Sequence, residues 1–198
     1  MDHSRMIRQL EFLREIDKLK HILRRTLLMD SSRLENDSEH TWHMAVCALL
    51  FLEYSDVKEL NILKVLKMVL LHDVVEIDAG DTFAYDEKGH LDKEEREILA
   101  ADRIFGLLPK DQAQEFRSLW DEFEEFESDE SKYAHSIDTF MPMYHNYITK
   151  GQTWEKHNVT YAQVIKRNKP MIEPGSKQLW DFVKSLLDDA VEKGYLKK

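Results

Sequence analysis

The sequence predicts an all-α protein. Its 198 residues include only six glycines and four prolines, and the stretches between them place apolar residues at steps of three and four rather than in alternation. No Pro/Gly/Ser-rich stretch, internal repeat or low-complexity tract divides the chain. The length suffices for one substantial core, so residues 1–198 are expected to form a single domain.

Met6, Leu10, Leu13, Ile16, Leu19 or Lys20, Leu23 and Leu27 recur at helical spacing and predict a first amphipathic helix over roughly residues 4–28. Arg24 and Arg25 sit near its end, where cations complement the helix dipole. Ser38 reads as the N-cap of a second helix running to about Tyr54, and Asn61 as that of a third running to about Val75. From Ile77 to Leu91 the periodicity dissolves into Asp78-Ala79-Gly80-Asp81-Thr82 and Asp86-Glu87-Lys88-Gly89-His90, which predicts a loop. Asp92 caps a further helix to about Leu108. Pro109 restarts the chain, and Asp111 to Phe126 is helical, with the acidic run Asp121 to Glu130 assigned to solvated surface. Ser128 or Asp129 opens a helix through Asp138 to about Lys150, with a kink expected at Pro142. Thr160 and Gln163 have capping-box spacing, and Lys177 to Glu192 reads as a closing amphipathic helix. Trp42 is assigned to the core, and Trp120, Phe123, Phe126, Met141 and Met143 to core or subunit contacts.

Charge narrows the function classes. Lys plus Arg number 28 against 38 Asp plus Glu, a net of −10, which argues against a broad surface that tracks nucleic-acid phosphates. A small anionic ligand remains compatible if its site carries local positive charge. The single cysteine, Cys47, lies in an apolar helical run, fits a packing role and a reducing compartment, and excludes an internal disulfide. The N-terminus lacks the apolar run of a signal peptide, and no stretch approaches about 18 apolar residues. A cytoplasmic protein without a membrane partner is expected.

The pair His72-Asp73 carries the chemistry. An imidazole and a carboxylate at the end of an apolar helical stretch must both be desolvated while contributing no apolar area. A divalent metal justifies both. His40, His72, Asp73 and Asp138 are the candidate ligands; mixed imidazole and carboxylate donors suit Co, Mn, Zn or Fe(II) better than Mg or Ca. His43, three residues after His40, is a rival ligand, and His135 and His145 flank Asp138. A single ion is favoured, because no additional spaced histidine pair stands between Asp73 and Asp138; His90 is alone in the loop.

The order Ser38-Glu39-His40, then His72-Asp73 with Glu76 three residues on, then Gly80-Asp81, and finally Asp138 resembles the HD-domain metal-dependent phosphohydrolases. Within them it is most similar to the branch containing the bacterial 5'-deoxynucleotidases. The resemblance runs from about Arg25 to Asp138 and includes Arg33, Glu35 and Asn36. It implies an HD-domain helical bundle, with a kinked ligand-bearing helix and added C-terminal helices over 151–198. It also implies one divalent ion on His40, His72, Asp73 and Asp138, general acid/base duty for Glu76, and a homodimer. Asp81 matches an acidic residue that orients water or holds the sugar, and Arg25 an arginine near the substrate phosphate. A bound cation lowers the pKa of its water and polarises a phosphoryl group, so hydrolysis of a nucleoside 5'-monophosphate is the implied reaction. The chain departs from the resemblance at Thr26, where those deoxynucleotidases carry a tryptophan linked to choosing deoxyribose. Two alternatives stay open: another small phosphate ester as substrate, or a metal- or nucleotide-binding module without turnover. Intact Glu76 and Asp81 favour turnover.

Overall fold

The computed structural model describes residues 2–86, 89 and 91–198, so His90 lies outside the described residues. The chain is built almost wholly of helices, in keeping with the all-α expectation, and none described is long and apolar enough to cross a membrane. The largest departure is at the start. Helix α1 spans only Ser4–Ile16, a 3-10 turn covers Asp17–His21, and Leu23–Leu27 is a strand, β1, paired antiparallel with β2, Leu34–Asn36. Ile22 and Thr26 are β-branched and favour extended backbone, which outweighs the helical spacing of Leu23 and Leu27. The stripe read as a buried face is also largely wet: Met6, Leu10 and Leu13 are exposed, and Phe12 is the residue of α1 that enters the core.

Helix α2 spans Asp37–Leu50. Its N-cap is Asn36 rather than Ser38, because the Asn36 side chain accepts from the Glu39 N–H at 3.0 Å while Glu39 accepts from the Asn36 N–H at 3.2 Å. This capping box fixes the first turn of α2 and with it His40. Helix α3, Ile62–Leu71, starts at the expected Asn61 cap; it tightens into a 3-10 turn over His72–Val75 and continues as α4, Glu76–Ala79. Then follow α5, Lys93–Phe105, and α6, Lys110–Glu125. Helix α7, Asp129–Ile148, is capped by Ser128 and runs through Pro142. After α8, Gln152–Lys156, come α9, Tyr161–Ile172, opened by the Thr160/Gln163 capping box, and α10, Lys177–Glu192.

Helix α7 is central and packs against α2, α3, α6, α9 and α10. Tyr133, Ala134, Ile137 and Phe140 on it join Met44, Val65, Met68 and Trp180 in the buried core. Trp120, Phe123, Met141 and Met143 are core residues as expected, and so is Cys47. Trp42 is not: it is 66% exposed on the outer face of α2, beside Val46 and Leu49. The inward face of that helix is supplied instead by His40, Met44, Cys47 and Ala48.

Candidate metal centre

Three elements of the bundle deliver the four candidate ligands to one place. His40 comes from the first turn of α2, His72 and Asp73 from the turn that ends α3, and Asp138 from the middle of α7. The His40 Nε2 lies 2.9 Å from Asp138 Oδ1, the His72 Nε2 lies 3.8 Å from the same oxygen, and it is 2.9 Å from Asp73 Oδ1. Ligand atoms of His40, His72 and Asp73 all fall within 4.8 Å of one another. His40, His72 and Asp73 are buried.

The tautomers are set by the surroundings. At the end of α3 the carbonyls of the last turn have no intrahelical partner, and one of them, Val69 C=O, accepts from His72 Nδ1 at 3.0 Å. A carbonyl only accepts, so Nδ1 carries a proton and Nε2 is the nitrogen turned toward Asp73 and Asp138, available to an ion once the ring is neutral. That buried nitrogen has no hydrogen-bond partner despite its closeness to Asp73, so the two groups lie side by side rather than donor to acceptor. His40 turns its other nitrogen, Nδ1, toward Glu35 Oε2 at 3.4 Å, the carboxylate support common behind metal-binding histidines.

Electrostatics fit a cation in the same place. Burial opposes ionisation of Asp73, yet His72 and Arg24 hold it down at about 2. Burial also opposes a charged His72, but the neighbouring Asp73 outweighs it and takes the imidazole up to about 9. Glu76 is pushed well above the usual carboxylate range, first by burial and then by the charges of Asp73 and Asp37, and its Oε2 is buried without a partner. Asp37, fully buried with neither oxygen hydrogen-bonded and Arg24 3.6 Å from Oδ1, is pushed by burial up to about 7. Without an ion, this site holds its carboxylates with the His72 imidazole, Arg24 and retained protons. Two imidazoles and several buried carboxylates, with orphaned ligand atoms, fit a divalent metal.

The centre opens into a cavity of about 540 Å³ lined by His72, Asp73, Glu76, Asp81 and Asp138, and by Arg24, Arg25, Thr26, Lys93 and Arg167. Gly80 ends α4 at φ 76°, a conformation that favours glycine, and delivers Asp81 to this wall. The loop expected from Ile77 begins only after Ala79, because α4 takes in Ile77, Asp78 and Ala79, and Thr82, Phe83, Ala84 and Tyr85 then line the cavity. Phe83 packs on His157 with ring centroids 4.4 Å apart, and Tyr85 accepts from Asn168 at 3.3 Å, so the C-terminal helices form part of the wall.

Arg24 is the residue that sequence reasoning missed. Assigned to a helix end, it sits on β1 with Nη1 2.8 Å from Asp73 Oδ2 and 3.6 Å from Asp37 Oδ1, and Nε 3.9 Å from Glu35 Oε2. Between Leu23 and Leu27 the strand takes four steps where β2 takes two, an irregularity that lets consecutive residues Arg24, Arg25 and Thr26 all reach the cavity. No local pattern announces such a bulge. Lys93, Arg167 and Asn168 were likewise unmarked, each an ordinary helical residue until the helices pack. The cap pairing of Asn36 with Glu39 was the one readable signal beside the site. Glu124, Phe123, Phe126 and Met143, read as surface or packing, also line the cavity.

The histidine rivals divide. His135 stacks on Phe123 at 3.9 Å and its Nε2 donates to the Phe123 carbonyl at 2.9 Å, so that nitrogen is occupied. His43 and His145 lie together on the far side of Glu35, away from His72.

A family model described as the HD domain matches residues 16–180. This chain belongs to the HD domain family. Among HD relatives, the human protein named 5'-deoxynucleotidase HDDC2 is 32% identical over 130 residues, 65% of this chain and 62% of that protein. The match thus spans less than two thirds of that relative's length. A crystal structure of a "predicted metal-dependent phosphohydrolase" from Magnetospirillum magnetotacticum MS-1 superposes with a TM-score of 0.94 at 52% identity, covering 98% of this chain and 97% of that one. A protein from Pyrococcus horikoshii OT3, at 20% identity and TM-score 0.63, shares the fold over 90% of this chain and 98% of its own.

Proposed function

We propose that this HD protein is a phosphomonoesterase that releases phosphate from nucleoside 5'-monophosphates using one divalent ion held by His40, His72, Asp73 and Asp138. The observation that carries the reading is the meeting of these four side chains beside buried Glu76, at the floor of a cavity that also receives Arg25 and Arg167. The name 5'-deoxynucleotidase on relatives such as human HDDC2 supports the substrate class. The imidazole share of the donor set favours Co, Mn, Zn or Fe(II) over Mg. When bound, such an ion acidifies water and polarises the phosphoryl group.

The chain's own residues supply the rest. Glu76 is a buried carboxyl with a raised pKa, and a positive charge in the cavity draws it back toward neutrality, where it can take and return a proton. Arg25 on β1 and Arg167 on α9 can meet phosphate oxygens with paired N–H donors. Asp81 faces the cavity to orient water or a sugar hydroxyl, and the 82–85 segment with Phe83 and Tyr85 limits water entry. Phosphate release is expected from protein re-metallated with Mn or Co and not from metal-stripped protein. Absence of metal-dependent release from every deoxy- and ribonucleotide tried would sink the enzyme reading.

Thr26, only 8% exposed and lining the cavity, favours a second reading on the sugar. A small side chain leaves room for a 2'-hydroxyl, so ribo- and deoxynucleotides are expected to react within about tenfold of each other. Thr26→Trp is expected to lower kcat/KM for ribonucleotides more than for deoxynucleotides, measured with matched pairs of the same base. Equal losses for both would remove Thr26 as a sugar gate.

A further inference from the structure

Behind the first centre, Glu35, His43 and His145 form a second cluster whose ligand atoms all lie within 4.8 Å of one another. Glu35 divides it from the first. Its Oε2 faces His40 Nδ1 and Arg24 Nε, at 3.4 and 3.9 Å, whereas Oε1 points to His145 Nε2 at 4.0 Å. His145 Nδ1 lies 2.9 Å from the Leu27 carbonyl, so that nitrogen bears the proton and Nε2 is a bare lone pair. This Nε2 is buried and has no hydrogen-bond partner, in a residue only 2% exposed. An orphaned imidazole nitrogen aimed at a carboxylate oxygen, with its other nitrogen pinned by a carbonyl, is the arrangement of a metal-ligating histidine. His43, half-buried on α2 with its ring 5.6 Å from that of His145, completes the set and leaves one side open to solvent.

We infer that Glu35, His43 and His145 form a second divalent-metal site, of the two-histidine, one-carboxylate kind that suits Zn²⁺ and Co²⁺, separate from the His40/His72/Asp73/Asp138 centre. The donors are borderline nitrogen and carboxylate oxygen, which select these ions over Mg²⁺ and Ca²⁺. Three protein ligands leave coordination positions for water on the His43 side. Because Glu35 turns one oxygen to each cluster, it lies between the two sites and couples them through His40.

The test is the metal content of the full-length protein, stripped with chelator, loaded with Zn²⁺ and dialysed, then measured by mass spectrometry. His43→Ala and His145→Gln are each expected to bind about one equivalent less than wild type. Asp138→Asn is expected to lose a different equivalent, so that His43→Ala/Asp138→Asn loses both. With Co²⁺, the visible absorption bands of wild type should include a component absent from His43→Ala and retained in Asp138→Asn. His145 is buried, so its variant serves only if circular dichroism shows it folded; His43 is half-buried and its alanine variant carries the decision. Zn²⁺ content and Co²⁺ spectrum of His43→Ala equal to wild type would overturn the second site while leaving the first untouched. Loss of ions from Asp138→Asn alone would do the same.

Discussion

Glu76→Gln is expected to lower phosphate release by about 10²- to 10⁴-fold, the range for loss of a positioned proton carrier, while making the metal-free protein more stable at neutral pH. The two effects come from one fact: a carboxyl is buried beside Asp73 and Asp37 and held protonated well above its ordinary 4.5. Below that ordinary value the folded and unfolded chains both hold the proton, and the folded state has its full stability. As the pH rises, the unfolded chain releases its proton while the folded chain retains it, so stability falls until the raised folded pKa is passed. Glutamine keeps the shape and cannot ionise, which removes that fall. Thermal melts of metal-free wild type and variant are therefore expected to coincide near pH 4, roughly the unfolded pKa, and to separate in favour of the variant by about pH 7. Turnover by Glu76→Gln within a few-fold of wild type would show that another group moves the proton. A melting difference that does not grow with pH would show that Glu76 is ionised in the fold.

Much of this architecture was legible because it is local. Asn61, Ser128 and Thr160 are caps whose side chains bond the backbone three residues on, and their helices begin at those caps. The tight grouping of His72, Asp73 and Glu76 within five residues made the turn after α3 stand out, since no packing argument accommodates three buried polar groups there. What stayed hidden depends on tertiary contact. Residues 23–27 have helical apolar spacing, and only pairing with β2 shows that they are a strand with a bulge. Trp42 is as apolar as any core residue, yet α2 is turned by its ligand-bearing face, which leaves the tryptophan outside. Arg167 and Asn168 reach the cavity from α9, some 90 residues from Glu76, through the contact of Tyr85 with Asn168. Nothing in a helix's own periodicity signals such a reach.

Arg24→Met is expected to destabilise the metal-free protein by about 3–5 kcal/mol, the usual result of leaving buried charge without its partner. Asp73 divides its oxygens, Oδ1 facing His72 and Oδ2 facing Arg24, and Asp37 and Glu35 look toward the same guanidinium. Burial works against the Arg24 cation, and the charges of Asp73, Glu76, Asp138 and Asp81 more than offset it, so it stays charged at every usable pH. Methionine retains much of the stem and removes the charge together with the hydrogen bond to Asp73. For a chain of this size the loss corresponds to a fall in Tm of roughly 6–20 °C. Added Mn²⁺ is expected to raise the Tm of Arg24→Met more than that of wild type, because an ion between His72, Asp73 and Asp138 restores positive charge to the same carboxylates. Arg25→Met is the internal control. Its side chain is exposed at the cavity, so its melting temperature should stay within about 1 °C of wild type while kcat/KM for a nucleotide falls. An unchanged Tm for Arg24→Met, or equal losses of stability for the two neighbouring arginines, would remove the distinction between a cation that holds the carboxylates together and one that meets the substrate.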